Sequence, residues 1–347
     1  MSTPDLTEAV ERLREEVLKN FERFGDLRFE GDIEWYEYRS EKSSPVIGVD
    51  SSYYSRIYKY IYLYIIRGVS IPRSIDRDLS RCIQSSSFGD AHFIASPATE
   101  ESSRKTPPPI KELKKILSHR TRDLEVEIGE RSYECVKREY VGEEPLVMMD
   151  GSARSFLPYR FKGAGRIVAE ALGLEKSWEN RLKTIDKLSE SMSIVFISKT
   201  QSRTYYSEKL KPYLERDGSK IEILVPDVIL IDSYLSRRGV FRNGVRTPGF
   251  SEPVLYENRD PHRRITLFYA VFQKGGGMYQ ISLLGDHTRE LEEIRSLYEK
   301  IRFWSLNGYP EPLREAHHTS VLRYRDVTKL LYVSGLYIES GREALEI

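Results

Sequence analysis

The chain has 347 residues, with 54 Lys and Arg against 53 Asp and Glu, a formal net charge of +1 and a hydrophobic fraction of 39%. Such a balance excludes a protein that coats nucleic acid with its whole surface, while leaving room for a local basic channel. No apolar run approaches the ~20 residues of a membrane span, and the first residues are polar and acidic rather than a signal peptide. Cys82 and Cys135 show neither metal-ligand spacing nor a disulfide framework, so the expectation is a cytoplasmic protein with free thiols and no membrane contact. A charged fraction of 31% with only 2 cysteines leans towards a thermophile.

In chain order, residues 5–24 place Leu6, Val10, Leu13, Val17 and Phe21 on one helical face. This amphipathic helix heads a lead-in of residues 1–44, and its partner is either the chain's own core or another subunit. Pro45-Val46-Ile47-Gly48-Val49-Asp50-Ser51-Ser52 then reads as a short strand buried on both faces and ending in an acid. Between Arg56 and Ile66, Tyr58, Tyr60, Tyr62 and Tyr64 alternate with Ile57, Lys59, Ile61 and Leu63. That period of two predicts a second strand after a turn at Ser51 to Ser55, with Gly68 to Ile71 as a third. The tyrosine face suits base stacking, but packing against a helix is the more common use of such a stripe.

Residues 96–109 end in three prolines and read as a loop. A helix follows from Ile110 to about Lys137, with a bend at Gly129, burying Leu113, Ile116, Leu117, Leu124, Ile128 and Val136. It carries Glu112, Asp123, Glu125, Glu127, Glu130 and Glu134. Pro145-Leu146-Val147-Met148-Met149-Asp150-Gly151-Ser152 repeats the strand–acid–hydroxyl pattern 100 positions after Asp50. Helices over 163–190, a strand over 193–198 leading to Lys199-Thr200, and strand-like runs over 225–231 and 265–272 come next. Gly275-Gly276-Gly277 joins the last of these to residues 278–284 as a hairpin; with no Lys-Ser/Thr after it, the triple glycine is not a phosphate loop. A helix begins at Pro310 or Pro312, with Leu313, Ala316, His317, Val321 and Tyr324 on one face.

Two buried strands that deliver Asp50 and Asp150 to one sheet edge make a divalent-metal site, because hard cations require anionic oxygens and adjacent carboxylates repel without one. The plainer reading is that each Asp opens a turn or caps a helix. His317 on an otherwise apolar helix face is, by itself, more commonly a core residue than a ligand. The order of elements is that of a ribonuclease H-like α/β fold, a mixed sheet flanked by helices, with additional strands and helices.

The segment Gly308-Tyr309-Pro310-Glu311-Pro312-Leu313-Arg314-Glu315-Ala316-His317 resembles the C-terminal signature of the NurA nuclease family. Val49-Asp50-Ser51, Asp150-Gly151-Ser152 and Ser198-Lys199-Thr200 resemble its other anchors, so the likeness runs from Pro45 to Tyr324 within a nuclease domain of residues 45–347. The resemblance implies a manganese- or magnesium-dependent 5′-to-3′ DNA exonuclease, with an accompanying single-strand endonuclease activity. It further implies an archaeal homodimer that processes DNA ends with a HerA-type hexameric translocase. Asp50, Asp150 and His317 would be metal ligands and catalytic residues, joined by an acid of the long helix, Glu125 being favoured over Glu127 and Glu130. Lys199, Arg203 and Tyr309 are the DNA-binding candidates. Competing readings are a non-catalytic DNA clamp or docking subunit of the translocase, and an actin-like ATPase. The latter is disfavoured because Asp50-Ser51-Ser52-Tyr53 lacks the glycine that lets backbone approach phosphate.

Overall fold

The computed structural model describes residues 26–58, 61–93, 110–157, 164–199, 203–257 and 263–333. The helix expected over 5–24 and the loop expected over 96–109 lie outside them. The chain divides into two compact units interleaved in sequence: residues 43–196 with 309–347, and residues 1–42 with 197–308.

The first of these units contains β1 (Val46–Tyr58), β2 (Ile61–Arg73), β3 (Gln84–Phe93), α1 (Ile110–Glu139), β4 (Leu146–Asp150), α2 (Ala153–Phe156), α3 (Ala164–Ala171), α4 (Leu174–Glu190), β5 (Ile194–Ser198, in this unit as far as Phe196), α5 (Glu311–Ser320) and α6 (Tyr324–Val333). Its strands run in the order β5-β4-β1-β2-β3. β4 lies parallel to β1, and β1, β2 and β3 form an antiparallel meander. β4 is buried along its apolar run, as a strand covered on both faces requires.

Two expectations for the meander are corrected. The turn placed at Ser51 to Ser55 is absent: β1 runs straight through, pairing Ser51 with Gly68 and Ser55 with Tyr64. The serine hydroxyls that suggested a turn are instead spent on partners across the fold, Ser51 on Glu125 and Ser52 on the Ser320 carbonyl. Gly68 to Ile71 continues β2 and is not a third strand; the third is β3. Tyr62 and Tyr64 are almost fully buried, so at these two positions the stripe is packing.

α1 and α5 reach the sheet where side chains are missing. A Cβ at Gly68 would meet Ile128 and Leu124 of α1, and one at Gly129 would stand against Val49, Val147 and Met149. Gly48 lets α5 come closer still, since a Cβ there would lie 2.2 Å from the Pro312 carbonyl carbon. Because successive side chains of a strand point to opposite faces, Val49 and Ser51 face α1 while Gly48, Asp50 and Ser52 face α5. Cys82 and Cys135 are joined by a disulfide, Cα atoms 5.5 Å apart, tying the turn before β3 to α1. This corrects the expectation of free thiols; the pairing depends on how α1 lies on the meander, which spacing in sequence does not encode.

The other unit holds a sheet ordered Trp35–Glu37, Gly249–Ser251, Arg264–Val271, Met278–Leu284, with Val254–Glu257 also paired to Arg264–Val271. The predicted hairpin is present, in register from Val271↔Met278 to Ile265↔Leu284. Arg28–Phe29, Pro212–Arg216 and Ser219–Glu222 form a separate three-stranded sheet. The strand expected over 225–231 is instead the start of a helix, Asp227–Arg237. Pro226 cannot donate to a ladder and presets φ for a first turn, and the buried Leu230, Ile231, Tyr234 and Leu235 follow helical spacing. Asp227, fully buried, accepts from the Tyr205 and Tyr206 amides and from the Tyr269 hydroxyl. Among the described residues, no helix is long and apolar enough to cross a membrane.

Candidate metal centre

β1 and β4 pair with a constant offset, Val46↔Leu146 through Val49↔Met149. The next step along that register brings Asp50 beside Asp150. The 100-position spacing in sequence is thus the strand register itself. Asp150 ends its strand and Gly151, at φ +117°, turns the chain away, a conformation that side-chain-bearing residues rarely adopt. Asp50 lies within a longer strand that continues for eight more residues to Tyr58, so its carboxylate points from the middle of β1 rather than from its end.

α5 supplies the third group. With Pro310 at its N-cap and Gly48 beneath Pro312, the helix carries its last turn over Asp50. His317 Nδ1 stands 2.7 Å from Asp50 Oδ2. Ser52 fixes the end of the helix twice, donating to the Ser320 carbonyl and accepting from the Leu322 amide at 3.0 Å. Buried on this helix are Pro312, Leu313, Ala316 and Ser320. His317 is half-exposed and Val321 and Tyr324 are exposed, so the apolar face that made His317 look like core does not extend to it.

Ligand atoms of Asp50, Asp150 and His317 all lie within 4.8 Å of one another. Burial, and then the charge of Asp150, push the Asp50 carboxyl above its ordinary value, while His317 opposes them. The two carboxylate oxygens suit hard cations such as manganese or magnesium, the imidazole nitrogen is a donor that manganese accepts more readily than magnesium, and the unfavourable crowding of the two acids is what a bound cation would relieve.

Glu125 is the acid of α1 that reaches this region. Its side chain is 2% exposed, and it accepts from Ser51 Oγ and from Arg122 Nη1, the latter at 2.6 Å. It approaches from the α1 side of the strands and is not one of the clustered groups. Burial raises its carboxyl, against the pull of Arg122 and Ser51. Glu127 pairs with Arg131, and Glu130 with Thr184 and Lys187, both away from Asp50 and Asp150 in their partners. Arg122 escaped sequence reading because an Arg three residues before a Glu on a helix is an everyday surface pair. Ser51 and Ser52 were visible as part of a motif, but their partners, in α1 and at the end of α5, are set by tertiary packing.

Of the DNA-binding candidates, Tyr309 precedes α5 and is half-buried. Lys199 and Arg203 belong to the other unit and are exposed; the Arg203 carbonyl accepts the Asp227 amide.

In sequence, no curated protein matches the chain. In structure, the chain is similar to the NurA nuclease from Sulfolobus solfataricus, at 14% identity and TM-score 0.59, covering 96% of this chain and 97% of that one. A NurA crystallised with manganese is similar at 14% identity and TM-score 0.58, with 95% and 99% covered, and a further NurA structure at 13% identity and TM-score 0.59, with 97% and 99% covered. The family model described as the NurA domain matches residues 44–322, a stretch that contains every residue of the centre, and the chain belongs to the NurA family.

Proposed function

We propose that this chain is a metal-dependent deoxyribonuclease, with residues 45–347 as its nuclease domain. The observation that carries the reading is the convergence of Asp50, Asp150 and His317 from two strands and a helix onto one point, in a family whose relative was crystallised with manganese. Asp50, Asp150 and His317 would hold a manganese or magnesium ion. Such an ion supplies an activated water and neutralises charge on the scissile phosphate. Asp50 and Asp150 provide the anionic oxygens, and His317 is placed to ligate or to move a proton at the leaving oxygen. Glu125 is the third acid, held behind the strands by Ser51 and Arg122.

The finer reading follows the family resemblance: 5′-to-3′ cleavage of DNA ends by a cytoplasmic homodimer working with a HerA-type translocase, with Lys199, Arg203 and Tyr309 contacting the strand. Purified protein with linear single- and double-stranded DNA labelled at either end, with and without manganese, tests the activity and the polarity together. Cleavage that is independent of metal, or absent at every metal concentration, contradicts it.

A further inference from the structure

Arg122 is a fixed positive charge at a centre that otherwise holds three acids, Asp50, Asp150 and Glu125, and the His317 imidazole. Its Nη1 lies 2.6 Å from Glu125 Oε2 and 3.4 Å from the Asp150 carbonyl oxygen, and its guanidinium carbon is 4.7 Å from the centroid of the Phe156 ring. Phe156 is fully buried, so the guanidinium is held on three sides. Arginine does not lose its proton in a protein, and this cation is therefore permanent.

Asp50, Asp150 and Glu125 contribute three negative charges when ionised, and Arg122 removes one. What remains is matched by a single divalent ion. Geometry agrees with charge: both Glu125 oxygens are engaged, one by Arg122 and one by Ser51, while among the described residues the cluster consists of Asp50, Asp150 and His317. A second ion at Glu125 would have to displace a charge-assisted hydrogen bond in a nearly inaccessible place.

We propose that Arg122 acts as a resident cation of the nuclease centre: it keeps Glu125 engaged behind the strands and limits the centre to one tightly held divalent ion. Arg122 is thus a positioning residue, acting through Glu125. The proposal rests on the nuclease reading above, and its test separates the two.

Metal-free full-length protein, without DNA, is titrated with manganese by calorimetry and followed by electron paramagnetic resonance. The wild type should take one ion per chain and give the resolved hyperfine signal of isolated ions. Arg122→Met should take two, with a signal broadened by coupling between neighbouring ions, and Arg122→Lys, which keeps the charge, should return to one. Two coupled ions in the wild type, or one ion in a folded Arg122→Met, overturns the proposal. Should Arg122→Met fail to fold, Glu125→Gln decides: with its counter-charge gone, Arg122 opposes the ion, so manganese affinity should fall about 10-fold or more at unchanged stoichiometry. Unchanged affinity in Glu125→Gln, or a drop from two ions to one, overturns it. No manganese binding by the wild type would remove the nuclease reading itself, and this proposal with it.

Discussion

His317 meets Asp50, 267 positions away, through an imidazole–carboxylate contact of 2.7 Å. The imidazole contributes little to the core, being 49% exposed. His317→Ala should therefore change stability by less than ~1 kcal/mol, yet lower metal-dependent cleavage by roughly 10²-fold or more. His318, exposed on the same helix, is the control, and His318→Ala should cut at the wild-type rate. Thermal melts beside a nuclease assay check both; equal activity in the two variants would return His317 to a structural role.

Gly48 sets the height of α5 above β1. In Gly48→Ala the new methyl would lie 2.2 Å from the Pro312 carbonyl carbon and 2.4 Å from the Leu313 amide, and neither is a flexible side chain that can turn away. The helix must lift, carrying His317 from Asp50. Such overpacking costs ~1–3 kcal/mol or more, and manganese affinity should fall along with the melting temperature. A variant that binds manganese as tightly as the wild type would show that α5 is not fixed at this contact.

Two buried groups tilt stability with pH in opposite directions. Burial raises Asp227 from 3.8 to about 6, so as pH climbs between these values the unfolded chain releases its proton first. Stability conferred at low pH is lost through that window, by up to ~3 kcal/mol. Burial, with Arg181 beside it, lowers His119 from 6.5 to about 4; here the unfolded chain holds the extra proton, and stability rises with pH across about 4 to 6.5, by a similar ~3 kcal/mol. Asp227→Asn should leave a steeper rise across this range and His119→Gln a net fall, whatever the baseline cost of each change. Urea denaturation at pH 4, 5, 6 and 7 reads the slopes. Parallel profiles for the three proteins would exclude both assignments.

The Cys82–Cys135 disulfide closes a segment of 53 positions, and in a chain-entropy account its loss destabilises by ~4 kcal/mol. Reduction, or Cys135→Ser, should lower the unfolding free energy by that amount, and the denaturation midpoint with it, without abolishing cleavage at temperatures where the protein remains folded. An unchanged midpoint would mean that the bond is not formed in solution.

The acids of β1 and β4 were legible because buried parallel strands write continuous apolar runs, and their common register preserved the 100-position echo between Asp50 and Asp150. α1 and the hairpin around Gly275 were legible from period and glycine. The role of Ser51 and Ser52 was not, since hydroxyls suit a turn and a strand alike, and only the arrival of α1 and α5 decides between them. The helix at Asp227 was misread because Val225 to Ile231 is apolar at every position except Pro226 and Asp227, and a short apolar run fits strand or helix until the proline is given its weight. Arg122 carried no distinguishing signal, since what sets it apart is burial beside Asp150 rather than its spacing from Glu125.

Whether Asp50, Asp150 and His317 hold the metal ion for DNA cleavage is tested most directly by Asp150→Ala. Asp150 is half-buried at a strand end, and removing it relieves repulsion on Asp50, so the metal-free variant should melt no lower than the wild type. Manganese at about 100 times its dissociation constant should stabilise the wild type by ~2.7 kcal/mol and switch on DNA cleavage, whereas Asp150→Ala should show neither response. Cleavage by Asp150→Ala at the wild-type rate, with manganese present, would contradict the assignment.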